Sequence, residues 1–266
     1  VDWGRTKMML ILTFLILDFF LIVQFIEKQN AEQIETFTES PFEEQLEADE
    51  ISLGELPQGP IKASYISVMP RQFTEEEMAD LEGVDTIEYI RQDNKIQRLN
   101  ITLEEPMEVG ELSEFTPDKL QTFIVEEVIA GENYAFWGVN EELGTITYYQ
   151  QYDGRQFFRS QSSMLQFTVN EENQIVEYDQ TLLSDFESFN ENNILPAIQA
   201  VWSMYGQGGV LTPGSNITKT ELVYYPLIQL TESQVFTPTW HFVVNGEKDV
   251  YVNAFEGQII KDVETE

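Results

Sequence analysis

Val169-Asn170-Glu171-Glu172-Asn173-Gln174-Ile175-Val176 and Val252-Asn253-Ala254-Phe255-Glu256-Gly257-Gln258-Ile259-Ile260 share one written plan: Val-Asn, then three residues in one and four in the other, then Gln and two β-branched residues. Each reads as a hairpin, because β-branched side chains favour strands while Asn and Gly favour turns. Upstream of the first hairpin, Thr116-Pro117 opens a helix whose Leu120, Phe123, Ile124 and Val128 recur at apolar helical spacing, and Gly131 closes it. Strands follow at Tyr134–Val139, Thr145–Tyr149, Gln156–Ser160, Met164–Asn170 and Gln174–Asp179. Upstream of the second, a helix from about Asn193 runs through Leu195, Ile198, Val201, Trp202 and Tyr205 to Gly206. Its strands fall near Thr218–Gln229, Thr237–Asn245, Asp249–Ala254 and Gln258–Asp262. A helix laid across one face of an antiparallel sheet buries the apolar side of both, so the expected fold class is α+β with two related modules, 111–185 and 186–266.

Before these modules, residues 61–110 read as a small α/β segment. Thr74 followed by Glu75-Glu76-Glu77 is a capping box, which starts a short helix running to about Leu81 and stopping at Gly83. Thr86–Arg91 and Lys95–Leu103 form a hairpin across Gln92-Asp93-Asn94. Residues 27–60, rich in Glu, Gln and Pro, read as a stalk.

The first residues differ in kind. Between Met8 and Ile26 only Thr13, Asp18 and Gln24 interrupt an apolar run, which as a helix reaches roughly 28 Å and matches a bilayer core. Its apolar side chains contribute on the order of −5 to −8 kcal/mol to insertion, against about +3 for Asp18. A cleaved signal would carry an apolar region of about 7–15 residues and a small-x-small site. This run instead exits through Gln24-Phe25-Ile26-Glu27-Lys28-Gln29, so residues 8–26 are expected to be an uncleaved transmembrane helix. Arg5 and Lys7 precede it, which sets residues 1–7 in the cytoplasm and the remainder outside. Trp3 suits the inner interface.

The chain has 266 residues, with 47 Asp plus Glu against 14 Lys plus Arg, no Cys and one His. Residues 1–26 hold Asp2, Asp18, Arg5 and Lys7, so the whole excess of 33 negative charges falls on the expected exterior. Nucleic-acid binding is disfavoured, since phosphate affinity comes from cations. Disulfides, cysteine nucleophiles and multi-histidine metal centres are excluded. No cofactor is expected. His241, in the alternating strand Pro238-Thr239-Trp240-His241-Phe242-Val243-Val244, reads as solvent-facing or hydrogen-bonded, because no Gly-x-Ser-x-Gly elbow accompanies it. The Glu-Glu pairs at 43–44, 76–77, 126–127, 141–142 and 171–172 read as solvated faces, although a carboxylate pair could in principle cleave a wall glycan. Gly206-Gln207-Gly208-Gly209 follows a helix and reads as its stop.

Asp18 is the residue hardest to treat as filler, because an ionisable group within a bilayer usually faces other helices. It shares a helix face with Phe14, Leu15, Leu21, Ile22 and Phe25, the candidate surface for a partner's transmembrane helix. Snorkelling toward the outer interface, or protonation, is the competing reading.

Asp2-Trp3-x-Arg5-Thr6-Lys7, followed at once by an apolar segment ending Val23-Gln24-Phe25, resembles the start of YycI proteins. The closing Trp240-His241-Phe242 and Val250-Tyr251-Val252-Asn253-Ala254-Phe255-Glu256-Gly257-Gln258-Ile259 look like the end of a PepSY-type module. The resemblance implies modules akin to the YycH C-terminal domains and a non-enzymatic role at the cell membrane of a Gram-positive bacterium. There the partners would be a YycH-like protein and the WalK/YycG sensor histidine kinase, with a homodimer as a further assembly and cell-wall homeostasis as the output. The alternative is a PepSY-like inhibitor or binding module for a secreted protease or wall enzyme.

Overall fold

The computed structural model describes residues 3–32, 39–92, 95–206, 209–229 and 233–260, with part of the side chains of the first helix left undescribed. The chain divides into two units, 1–48 and 49–266. The first holds α1 (Trp3–Glu32) and α2 (Glu39–Ala48). Every described side chain of α1 from Met8 to Ile22 is exposed. Among the described residues no helix is long and apolar enough to cross a membrane. The described side chains of α1 stop at Ile22, so the last part of the expected anchor, with Phe25, lies outside them, as does the Arg5 side chain.

The second unit is a mixed α+β assembly of two seven-stranded sheets, one inserted in the sequence of the other. The framing sheet contains β1 (Ser52–Leu53), β2 (Lys62–Pro70), β10 (Leu183–Asn193), β11 (Asn216–Gln229), β12 (Gln234–Val244), β13 (Lys248–Asn253) and β14 (Ile259–Ile260). Its order is β1-β11-β12-β13-β14, with β2 pairing β10 and the start of β12. The inserted sheet contains β3 (Val84–Gln92), β4 (Lys95–Glu108), β5 (Tyr134–Asn140), β6 (Thr145–Tyr152), β7 (Arg155–Gln156), β8 (Met164–Val169) and β9 (Gln174–Thr181), in the order β3-β4-β9-β8-β6-β5 with β7 on β6. Segment 61–110 thus forms no piece of its own: β2 joins the framing sheet, and β3 and β4 the inserted one. The stalk also ends earlier than expected, since β1 pairs with β11.

The helices form where the sequence places their caps and apolar spacing. In α3 (Glu75–Ala79) the Thr74 hydroxyl accepts from the Glu77 amide and the Glu77 carboxylate accepts from the Thr74 amide. Arg71 pairs with the same carboxylate. Together these bonds hold Glu77 below the usual carboxylate range, against the upward pull of partial burial. In α4 (Asp118–Glu127) Leu120 and Ile124 are buried and Phe123 meets Phe167 and Tyr178 edge-on, so the helix lies on the inserted sheet. Gly131 does not itself end α4, which stops at Glu127. It instead lies so close to the helix that a Cβ there would fall 1.6 Å from the Ile124 carbonyl oxygen. In α5 (Ala197–Gly206) Ala197, Ala200, Val201 and Met204 are buried. The helix starts after Pro196 rather than at Asn193, because the residue before a proline is pushed out of the helical region. The Trp240 indole donates to the Leu195 carbonyl at 2.8 Å and Leu195 N–H donates to Ala254, which fastens the start of α5 to the framing sheet.

Both halves repeat one order. After α4 comes the up-and-down run β5-β6-β8-β9, and after α5 the run β11-β12-β13-β14. Three strands are absent from the sequence reading: β1, β2 and the longest of them, β10. Its Asp-Phe-Glu-Ser-Phe-Asn-Glu-Asn-Asn stretch has low strand propensity and is mostly exposed. Positive φ at Asp185 and Asn190 marks the register shifts by which it still follows β2.

Candidate functional site

Strands β11, β12 and β13 align Glu221 with His241 and His241 with Tyr251. The loop Asn245-Gly246-Glu247, with φ of 56° and 75° at its first two residues, sets the β12–β13 register. Asp249 is then two residues from Tyr251, on the same face as His241. The result is a clasp: His241 Nδ1 lies 2.8 Å from Glu221 Oε1 and Nε2 lies 2.7 Å from Asp249 Oδ1. Lys219 adds an ion pair to Glu221 at 2.7 Å.

The imidazole is 1% exposed. It stacks on Tyr251 at 4.9 Å and lies 5.0 Å from the Trp137 ring. Trp137 from β5 and Phe158, which follows β7, stack at 4.2 Å, and Phe158 stacks on Tyr251 at 4.7 Å. Val223, Tyr149, Tyr225 and Ile260 complete this apolar cluster. Arg159, with φ of 54°, lies over Phe158 and Tyr251. The framing sheet therefore carries α5 against Trp240 and presents its other face, through His241, to the aromatic edge of the inserted sheet.

Burial alone pulls His241 downward, but its hydrogen bonds to Asp249 and Glu221 outweigh this and hold it above its ordinary value of 6.5. Burial likewise pushes Glu221 up, yet the bonds from His241 and Lys219 bring it below 4.5. Geometry gives the same answer. A neutral imidazole has a single N–H, so one carboxylate would face a ring lone pair. Both ring nitrogens are occupied by carboxylates, leaving neither to take a proton from a hydroxyl nucleophile. His241 is thus hydrogen-bonded, as one branch of the sequence reading had it, and not solvent-facing. Glu221, Asp249, Lys219 and Trp137 were not singled out from sequence. The alternation Asp249-x-Tyr251 next to an Asn-Gly hairpin is the signal that could have found Asp249.

Beside the clasp, a cleft of about 450 Å³ opens between β5 and β11, lined in part by Phe136, Arg155, Gln156, Glu221, Leu222 and Trp240. Arg155 also lines a second cleft, of about 370 Å³, with Lys62 and Tyr224. No group of three or more His, Cys, Asp or Glu able to hold a metal ion occurs among the described residues.

The residues read from sequence as a partner face sit elsewhere, on α1. Phe14, Leu15, Asp18, Leu21 and Ile22 are exposed, and Lys7 lies 5.4 Å over the Trp3 ring. Gly206 is the last residue of α5, while Gln207 and Gly208 lie outside the described residues.

Helices laid by their apolar faces on largely antiparallel sheets, with an internal ionic clasp, define a mixed α+β protein. The YycI protein family model matches residues 29–255, and the chain belongs to the YycI family, a regulatory family associated with the WalK/YycG kinase system. An uncharacterized protein from Eubacterium rectale ATCC 33656 is similar over 80% of this chain and 91% of its own, at 10% identity and a TM-score of 0.46. The Bacillus megaterium YpeB C-terminal domain is similar over 74% of this chain and 88% of its own, at 11% identity and a TM-score of 0.39. No curated protein sequence matches.

Proposed function

We propose that this protein is a non-enzymatic regulator that is held in the membrane by residues 8–26 and acts with a YycH-like protein on a WalK/YycG-type sensor kinase, and through it on cell-wall homeostasis. The family match over 29–255 carries this reading. Two further observations support it. The described side chains Met8–Ile22 of α1 are all exposed and, apart from Thr13 and Asp18, apolar, a surface that needs a nonaqueous partner. Arg5 and Lys7 precede that surface, which favours a cytoplasmic N-terminus and an exterior location for 49–266. The repeated order of helix and four-strand run supports treating the two assemblies as related, PepSY-like modules.

Regulation of this kind requires different affinities for two kinase states, since only that difference shifts the equilibrium. The face with Phe14, Leu15, Asp18, Leu21, Ile22 and Phe25 is the surface on which we place it. Replacing residues 8–26 with an unrelated hydrophobic helix abolishes control of kinase output while export continues. Unaltered kinase output in cells carrying the exchanged helix refutes the reading.

A further inference from the structure

The outer edge of β11 is filled at both ends and open in the middle. At Ile217 the edge takes β1 in the parallel sense, with Gly54 N–H donating to the Ile217 carbonyl at 2.9 Å. At Tyr224 it takes residues 157–158, also in the parallel sense, with Phe158 N–H donating to the Tyr224 carbonyl at 2.9 Å. The opposite edge is occupied by β12 along this whole stretch. Between the two, from Thr218 to Val223, no backbone partner occurs on the outer edge among the described residues.

Strand geometry says which groups are exposed there. The β11–β12 register is unbroken from Lys219 to Pro226, and the Tyr224 carbonyl points outward. Alternate residues along a strand direct their N–H and C=O to the same edge, so Thr220 and Leu222 also face outward. Pro226 shares that parity and has no N–H, which blunts the edge beyond Tyr224. The facing strand is blunted too, because the Gln156 side-chain amide donates to the carbonyls of Ala135 and Phe136 on β5. A bulge at Thr218 separates the window from β1. A protein that protects its edges in these ways has left the outward backbone groups of Thr220 and Leu222 without a strand partner among the described residues, and Leu222 lines the 450 Å³ cleft.

We propose that this cleft binds an extended peptide segment by strand addition to β11, with a carboxylate side chain of the peptide meeting Arg155. The edge is already competent to pair, as β1 and residues 157–158 show at its two ends. Arg155 supplies the charge. Its guanidinium donates to the Tyr224 hydroxyl and the Lys62 carbonyl, each at 3.2 Å, both neutral acceptors. No ion pair joins it to a carboxylate among the described residues, although Asp153 lines the same cleft. Glu221 is taken by Lys219 and His241. Arg155 is the one cation among the described residues that line the cleft, where Asp153 and Glu221 are the acids; the more distant acidic surface is screened beyond about 8 Å at physiological salt. This inference stands apart from the kinase reading: each can fail without the other.

The probe is a capped hexapeptide of alternating threonine and valine ending in glutamate, added at millimolar concentration to the purified full chain at physiological salt. The readout is backbone amide exchange. Exchange at Thr220 and Leu222 slows at least fivefold, and N-methylating alternate amides of the peptide removes the effect. A glutamine-ending peptide binds several times more weakly than the glutamate form, and Arg155→Gln erases that difference. Unchanged exchange at Thr220 and Leu222, or equal protection by the N-methylated peptide, overturns strand addition. Equal binding of the glutamate and glutamine peptides overturns the role of Arg155.

Discussion

Asn170 holds in the inserted sheet the post that Asn253 holds in the framing sheet. Asn170 N–H donates to the Gln174 carbonyl, and its side-chain oxygen accepts from the amides of Glu172 and Gln174. Asn253 N–H donates to the Gln258 carbonyl, and its side-chain oxygen accepts from the amides of Phe255 and Glu256. The letters shared by the two hairpins therefore encode one device, an asparagine that satisfies the turn's amides while its backbone closes the ladder.

Removing that device costs stability in either sheet. Asn253→Ala and Asn170→Ala each lose about 1–2 kcal/mol, as for the loss of a side-chain cap. Urea unfolding of the variants measures this, and a change below about 0.3 kcal/mol at both positions contradicts a shared structural role.

The His241 clasp makes stability depend on pH from both sides. A folded value raised above 6.5 means that the His241 contribution is whole below 6.5 and is lost as pH climbs through the folded value. Glu221 acts in the other direction, its contribution being present above 4.5 and lost as pH falls through its lowered value. Because the chain has one histidine, its ring resonances report the clasp without ambiguity. Their midpoint lies above the ordinary value and moves down in Asp249→Asn. That variant loses about 1 kcal/mol at neutral pH, less than a buried charged hydrogen bond because the Asp249 side chain is 47% exposed. A midpoint that is the same in wild type and variant removes Asp249 from the clasp.

Gly131→Ala tests a close approach that involves no unusual φ. The added methyl would meet the Ile124 carbonyl oxygen, which belongs to the helix backbone and cannot swing away. A loss of about 2–3 kcal/mol is expected from this overpacking. Thermal unfolding that matches wild type shows that α4 can shift at no cost.

Trp137→Ala opens the contact between the sheets. The indole touches Phe158, Tyr149, His241 and Lys219. Its removal costs about 2–3 kcal/mol, somewhat below a fully buried tryptophan, and Trp137→Phe recovers more than half. Equal stability of the alanine and phenylalanine variants refutes the packing role.

Local chemistry was legible in the sequence; long-range pairing was not. The Thr74–Glu77 box, the Leu120–Ile124 face of α4 and the strands near Thr145–Tyr149, Met164–Asn170 and Gln174–Asp179 announce themselves within a few residues, because caps, helical spacing and alternation are short-range signals. The expected strand Gln156–Ser160, by contrast, reduces to β7 at Arg155–Gln156. β2 and β10 find each other across the whole inserted sheet, for example Ala63 with Asn192, and nothing near either strand names the other. The clasp was hidden for the same reason. His241 was visible as a lone imidazole, but Glu221 looked like one acid among 47 until the β11–β12 register set it opposite.

Residues 84–181 are wholly enclosed, in chain order, between β2 and β10. During synthesis the enclosed sheet can close early on local contacts, whereas β2 must wait, unpaired with β12, until more than half of the protein has followed it. Its Ile66 and Val68, which end fully buried, gain Phe157 and Leu183 first and Phe236 of β12 last. A late closing step is therefore written into the order of the strands, and it falls on this one segment.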